Sequence, residues 1–176
     1  MENPTLATVN NMLGLLGERR INDLSEPHPL IPDALAKLEE SMIAVQADLW
    51  WFNVEYPTLF PEAVTGYLLV PNDTASCDSL TACPHIAMRG NRLYNLDDST
   101  DVFLHPLRVR LHRIVPFDDA PVTARMHIAA KAKLAFQMAY DGDSTKAQLL
   151  AREVQESYAK LHAEHTRNAK ANLLYR

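Results

Sequence analysis

Basic side chains recur along one stretch of the chain that has the pattern of a β-strand. Residues 108–115 are dominated by β-branched and long apolar or basic side chains, which favours a strand. Because strand side chains alternate between faces, Arg108, Arg110 and His112 are expected on one face, with Arg113 following. Such a row could contact a DNA backbone, an acidic neighbouring subunit, or only solvent. The candidate DNA or subunit contacts are therefore Arg108, Arg110 and Arg113.

Two histidines near the end of the chain have a spacing that could hold a metal. His162 and His165 are three residues apart, so both would lie on one face of a helix, but a third ligand would have to come from elsewhere. Histidine is also favoured near a helix C-terminus for electrostatic reasons. The sequence therefore predicts a solvated helix face and no metal.

Paired carboxylates are the remaining groups that could do acid–base chemistry. Asp97 with Asp98, and Asp118 with Asp119, could act as general acid and base, although adjacent acids at turns are usually caps. The chain has no phosphate-binding glycine loop and no Gly-x-Ser-x-Gly elbow. We predict a protein that is not an enzyme, with no catalytic residues and no cofactor; an accessory hydrolase that depends on a residue such as Asp98 is an alternative.

Length and charge describe an ordinary globular chain with an uneven charge distribution. The 176 residues carry a formal charge of −5. Residues 1–107 hold five Lys/Arg and fifteen acids, a net −10, whereas residues 108–176 hold twelve and seven, a net +5. This asymmetry predicts that the two parts face different partners, and it is too diffuse for a site that grips nucleic acid.

Membrane and secretion signals are missing from the sequence. No apolar run approaches the roughly 20 residues that span a bilayer, and residues 1–4 do not resemble the start of a signal peptide. Cys77 and Cys83 do not form a CxxC motif and are predicted to be free thiols in a reducing compartment. We therefore expect no association with a membrane.

Apolar periodicity predicts four helices, beginning near Asn3, near residue 32, at residue 122 and near residue 143. Asp118 and Asp119 precede the third helix and are expected to cap it, while Gly142 closes it. Its two apolar stripes indicate a central helix that other helices contact on more than one side. The apolar stripe of helix two is predicted to contain Leu35, Leu38, Met42, Val45 and Leu49, and that of helix four Leu150, Val154, Tyr158 and Leu161. The two stripes of helix three are Val122, Met126, Ala130 and Leu134, and Ile128, Ala132, Ala135 and Ala139.

Between helices two and three the pattern becomes that of short strands. Residues 66–70 are predicted to be a strand, residues 72–84 a polar loop, and residues 85–96 a hairpin that turns at Gly90 and Asn91. The aromatic residues 50–52, which leave helix two, are expected to be core. The predicted class is α+β: an antiparallel bundle of about four helices (residues 1–49 and 116–176) with a small antiparallel β-rich insertion (residues 50–115).

Several ordered segments resemble a known protein family. They are ATVNNMLGLLGE at 7–18, WFNVE at 51–55, LFP at 59–61, MRGNRLY at 88–94, RIVPFDDAP at 113–121 and AKA at 130–132. In this order and spacing, the chain resembles the tail tubular protein A family, the tail adaptor or gatekeeper proteins of short-tailed bacteriophages.

The resemblance implies a structural virion protein that is made in the host cytoplasm. Subunits would form a ring, a dodecamer in this family, that joins the portal protein to the tail nozzle protein and lines the DNA ejection channel. Tail fibres are a further expected partner, and double-stranded DNA would pass without specific binding. A DNA-binding module that uses Arg108, Arg110 and Arg113 is the main alternative.

Overall fold

The computed structural model describes residues 3–82 and 84–174, with side chains through residue 169, so Cys83 lies outside the described residues. Contacts divide the chain into two compact units. The helical unit comprises Met1–Trp51 and Pro116–Arg176, and the β unit is Phe52–Val115. The α+β class is confirmed, with helices in one unit and small antiparallel sheets in the other.

The helical unit contains the four expected helices: α1 Pro4–Leu15, α2 Ile31–Gln46, α3 Val122–Tyr140 and α4 Ser144–Leu174. Asn3 caps α1, because its Oδ1 accepts the Leu6 N–H at 3.0 Å. Asp143 caps α4 in the same manner, accepting the N–H groups of Thr145 and Lys146. Both caps are local, and each lies where the sequence places a helix start.

Helix α3 is the central element of the helical unit, as predicted. It packs against α1, α2 and α4, and it runs antiparallel to α4. His127, early in α3, contacts Ser157 of α4. Lys133, later in α3, contacts Glu153, which is earlier in α4, so the two helices run in opposite directions. The side chain of Phe136 is fully buried.

The buried stripe of α2 differs from the predicted one. Leu38 and Val45 are buried, but Leu35 and Met42 are half-buried and line a groove of about 360 Å³. Leu49 lies beyond the helix end and is exposed. The remaining buried apolar or small residues are Ile31, Ala34 and Ser41. The interior face of α2 therefore combines large side chains, Ile31, Leu38 and Val45, with the small side chains of Ala34 and Ser41, which let neighbouring backbones approach closely.

The stripes of α3 and α4 are also only partly as predicted. On α3, Val122 and Met126 of the first predicted stripe are exposed, whereas Ala130 is buried. Ile128 and Ala132 of the second predicted stripe are buried, and so is Ala124, which neither stripe included. On α4, Leu150 and Leu161 are buried with Ser157 between them, whereas Tyr158 is 47% exposed. An alanine-rich helix carries little hydrophobic contrast, so the sequence identified the interior row of α3 only in part.

Within the described residues the β unit contains six strands, three of which pair with one long central strand. They are β1 Val54–Glu55, β2 Thr58–Leu59, β3 Thr74–Ser79, β4 Ile86–Arg89, β5 Arg92–Asn95 and β6 Leu107–Arg113. Strands β1, β2 and β3 all pair antiparallel with β6, and β4 pairs with β5 in a separate hairpin. The core of this unit includes Leu68, Leu93, Val109 and Leu111.

Two predictions about the insertion are wrong. Strand β3 occupies part of the predicted loop at residues 72–84, and residues 66–70 make only isolated bridges, Tyr67 with Val102 and Leu69 with Arg92. Strand β3 lacks the apolar alternation that identifies a strand, because most of its side chains are polar and only Thr74 and Cys77 within it are buried. The predicted hairpin is confirmed, with Arg89 opposite Arg92.

Candidate interaction surfaces

The basic row on β6 is largely neutralised by neighbouring acids. Arg110 Nη2 lies 2.8 Å from Asp78 Oδ2 on the paired strand β3. Arg108 is exposed and forms no ion pair with the described residues. His112, which was expected beside the arginines on the outer face, is buried next to Asn53, with Nε2 3.1 Å from Nδ2.

Arg113 makes the most extensive ion-pair contacts of the row. Its guanidinium reaches Asp73 at 2.6 Å and Glu55 at 3.1 Å, so it joins the segments before β3, within β1 and at the end of β6. Hydrogen bonds from Arg113 hold the pKa of the Asp73 carboxyl below its usual value. Arg113 therefore connects β6 to β1 and to the segment before β3 through ion pairs, and these carboxylates compensate its charge within the chain.

The predicted histidine pair packs against aromatic rings. His165 lies with its ring centroid 5.4 Å from that of Trp50 and 6.2 Å from that of Trp51. The His162 ring is 5.9 Å from the Tyr158 ring. In the described part of the chain, no group of three His, Cys, Asp or Glu side chains gathers in a way that could hold a metal.

Three carboxylates of the acid pairs, Asp97, Asp98 and Asp118, accept hydrogen bonds in turns or at a helix cap. Asp97 accepts the His85 N–H at 2.9 Å, which lowers the pKa of Asp97, whereas a general acid at neutral pH needs a raised pKa. Asp98 accepts a hydrogen bond from Asn95 Nδ2 at 2.8 Å. Asp118 was expected to cap α3, but it caps α1 by accepting the Thr5 N–H at 3.1 Å. The N-terminus of α3 has no side-chain cap.

A buried histidine that sequence reasoning missed lies between α3 and α4. His127 Nδ1 is 3.1 Å from Ser157 Oγ, and the ring packs 5.5 Å from that of Tyr158. Burial lowers the pKa of His127, so its neutral form is favoured in the folded chain. The sequence does not show that His127 is buried, because its hydrogen-bond partner, Ser157, lies on another helix.

Exposed apolar side chains cluster in two adjacent loops of the β unit. Val64 is 96% exposed, Leu104 85% and Phe60 71%. The loops are joined because the Phe103 N–H donates to the Gly66 carbonyl at 2.8 Å. Single exposed apolar residues are common, but three large ones on neighbouring loops are a candidate contact surface.

The helical unit also presents apolar side chains to solvent. Val122 and Met126 are one turn apart on α3 and are 61% and 44% exposed. Met138 near the end of α3 and Leu149 on α4 are exposed as well. No helix within residues 3–82 and 84–174 is both long and apolar enough to cross a membrane.

Exposed apolar side chains on both units of this α+β chain are candidates for contacts in an assembly. The family comparison gives the kind of assembly: the model described as "Tail tubular protein" matches residues 6–171, and the chain therefore belongs to the tail tubular protein family. It is 24% identical over 163 residues to the tail tubular protein A of Klebsiella phage KP34, covering 93% of this chain and 87% of that protein. The resemblance seen in the sequence is confirmed, and the chain is a structural component of a phage tail.

Proposed function

We propose that the chain is the tail adaptor, a ring of twelve copies that joins the portal protein to the tail nozzle protein and lines the DNA ejection channel. Membership of the tail tubular protein family supports this role. The observation that carries the proposal is the exposure of large apolar side chains on both units, since a free monomer gains nothing from exposing them.

The two exposed apolar surfaces fit head-to-tail contacts in such a ring. A ring closes when one patch of each subunit contacts a different patch of the next, so each subunit needs two surfaces. Phe60, Val64 and Leu104 would supply one of them, and Val122 with Met126 the other. In this proposal the helical bundle, residues 1–49 and 116–176, and the β insertion, residues 50–115, share the contacts to neighbours, portal, nozzle and tail fibres.

The charge of the chain suits passage of DNA without specific binding. A net charge of −5 per subunit would keep phosphates from being held on the channel wall. Two of the three β6 arginines are paired with carboxylates, which leaves Arg108 as the member of that row that could reach DNA or a subunit. The proposed role is structural, with no catalysis and no membrane contact.

The proposal is tested by mixing the chain with the portal protein of the same phage and measuring mass by light scattering. We expect a stoichiometric complex heavier than the portal ring alone. Val64→Asp, which adds a charge to an exposed apolar position, should reduce the complex without changing the circular dichroism of the chain. Exposed Glu39→Ala on α2 is the matched control.

If the folded chain left the portal mass unchanged under all salt conditions tested, the adaptor role would be wrong. Duplex DNA binding that falls with salt and is lost in Arg108→Ala would then favour the DNA-binding alternative.

A further inference from the structure

The tip of the β4–β5 hairpin carries two arginines at directly opposed positions. Arg89 and Arg92 form the last pair of the hairpin, on either side of Gly90 and Asn91. Like charges directly opposite each other on a sheet destabilise it unless something offsets the repulsion. The hairpin tip is therefore a place where an anion would be favoured.

The charges around the tip do not cancel. Arg92 Nη1 lies 3.1 Å from Asp101 Oδ2, so one carboxylate balances one guanidinium. Arg89 forms no ion pair with any residue that the structure describes; its guanidinium carbon stands 3.4 Å from the centre of the Tyr94 ring. One positive charge is left over at the surface.

Stacking also fixes the direction in which the guanidinium groups can donate. Arg89 lies over Tyr94, and Arg92 lies 4.9 Å from the centre of the Tyr67 ring. A stacked guanidinium uses its face for the aromatic ring and keeps its N–H edge for an oxyanion. Two guanidinium groups held in this manner are preorganised for an oxygen-rich anion.

A cleft of about 210 Å³ is lined by residues of the hairpin tip and of the segment 99–101. Its lining combines both arginines with hydroxyl groups and a single carboxylate: Arg89, Arg92, Leu93, Tyr94, Ser99, Thr100 and Asp101. Ser99 has φ +54°, an uncommon conformation for a residue other than glycine, and such backbone conformations are concentrated at functional sites.

From these observations we propose that the hairpin cleft binds a phosphate group, with Arg89 as its main ligand and Arg92, Ser99 and Thr100 around it. The phosphate could belong to a DNA backbone or be free in solution, since the donors recognise the same tetrahedral oxyanion. The site is separate from the β6 row considered above, and the proposal does not depend on the adaptor role.

Nuclear magnetic resonance of the ¹⁵N-labelled full chain tests the cleft directly. Inorganic phosphate, added at constant ionic strength, should shift the side-chain Nε–Hε signals of Arg89 and Arg92 in a saturable manner. Arg89→Ala should remove saturable binding, whereas Arg108→Ala, which removes an exposed arginine from the same unit, should leave it intact. Absence of a saturable shift in the folded wild-type chain with both phosphate and duplex DNA would overturn the proposal.

Fluorescence anisotropy with a labelled duplex of about 20 base pairs separates the two sources of phosphate. If DNA is the source, Arg89→Ala should weaken binding several-fold and lower the salt slope by about one, and Arg152→Ala, which removes an exposed arginine on α4 away from both basic surfaces, should do neither. Phosphate binding without a duplex effect of Arg89→Ala assigns the site to free phosphate. In both cases the Arg89→Ala chain should still form the complex with the portal, so failure of the cleft and failure of the adaptor role give different results.

Discussion

Hydrogen bonds and ion pairs from single residues connect parts of this chain that are distant in sequence. The spacing of residues along the sequence does not show which parts are connected. Asn3 was predicted to cap α1 because a cap and its helix are adjacent. Asp118 was predicted as a cap for α3, yet it bonds Thr5, 113 positions away. Arg113 was a candidate contact for DNA or a subunit, and the acids that engage it, Asp73 and Glu55, are likewise distant in sequence.

Removal of the Asp118 carboxylate should destabilise the helical unit. Asp118→Ala deletes the acceptor for the Thr5 N–H and the Thr5 hydroxyl, so we expect a loss of about 1 kcal/mol in the free energy of unfolding. Urea unfolding followed by tryptophan fluorescence reports this unit, because both tryptophans, Trp50 and Trp51, belong to it. Asp119→Ala is the control and should change stability by less than about 0.5 kcal/mol. Equal effects of the two variants would refute the cap.

The pairing of Asp73 with Arg113 should make the β unit sensitive to acid. Because the pKa of Asp73 is lowered from 3.8 in the folded chain, its contribution is present above pH 3.8 and is lost as pH falls through the lowered pKa. Asp73→Asn should therefore be less stable than wild type at pH 7, by less than about 1 kcal/mol for this partly exposed pair. The difference should vanish near pH 2 in thermal unfolding by circular dichroism. A difference that does not vary with pH would contradict the pairing.

Elements were predicted well where hydrophobic contrast is strong and poorly where it is weak. Helix α3 begins and ends where the capping and turn residues indicate, but its interior row was identified only in part because alanine gives little contrast. The hairpin was found from its turn at Gly90 and Asn91. Strand β3 was missed because most of its side chains are polar and its partner, β6, lies about 30 residues later.

Two leucines on α4 provide a matched test of how this helix packs. Leu161 is fully buried, whereas Leu149 is 67% exposed. Leu161→Ala should cost about 2–5 kcal/mol because it leaves a cavity, while Leu149→Ala should stay within about 0.5 kcal/mol. Urea unfolding followed by tryptophan fluorescence measures both. Similar losses for the two variants would show that the assigned interior face of α4 is wrong.

A side chain at position 66, in place of Gly66, should lower the stability of the folded chain. Gly66 has φ +72°, and an added Cβ would lie 2.8 Å from Val102 Cγ1, whereas Gly90 has φ +62° with nothing within 4 Å. Gly66→Ala should therefore cost about 1–3 kcal/mol, more than Gly90→Ala, which meets only the backbone penalty. Thermal unfolding by circular dichroism compares them. Adding Val102→Ala to Gly66→Ala should recover part of the loss; no recovery would argue against the clash.

At the scale of the whole molecule, the sequence identified the class and the family but not the contact surfaces. Helical periodicity and short strands define an α+β chain, and the ordered segments pointed to tail tubular proteins. The exposed apolar side chains Phe60, Val64 and Leu104 have the same residue types as core positions, so only the folded structure separates them. The arginines of the hairpin tip were part of a segment used for the resemblance, and their stacking on tyrosines became visible only in the structure.

Electron cryomicroscopy of the chain mixed with the portal ring of the same phage tests the adaptor role most directly. We expect a second ring of twelve copies stacked on the portal, with Phe60, Val64 and Leu104 covered by neighbouring or partner chains. Portal rings without added density, in a mixture where the chain is folded and in excess, would contradict the adaptor role. A stacked ring in which these three side chains remain exposed would contradict the assigned contact surface.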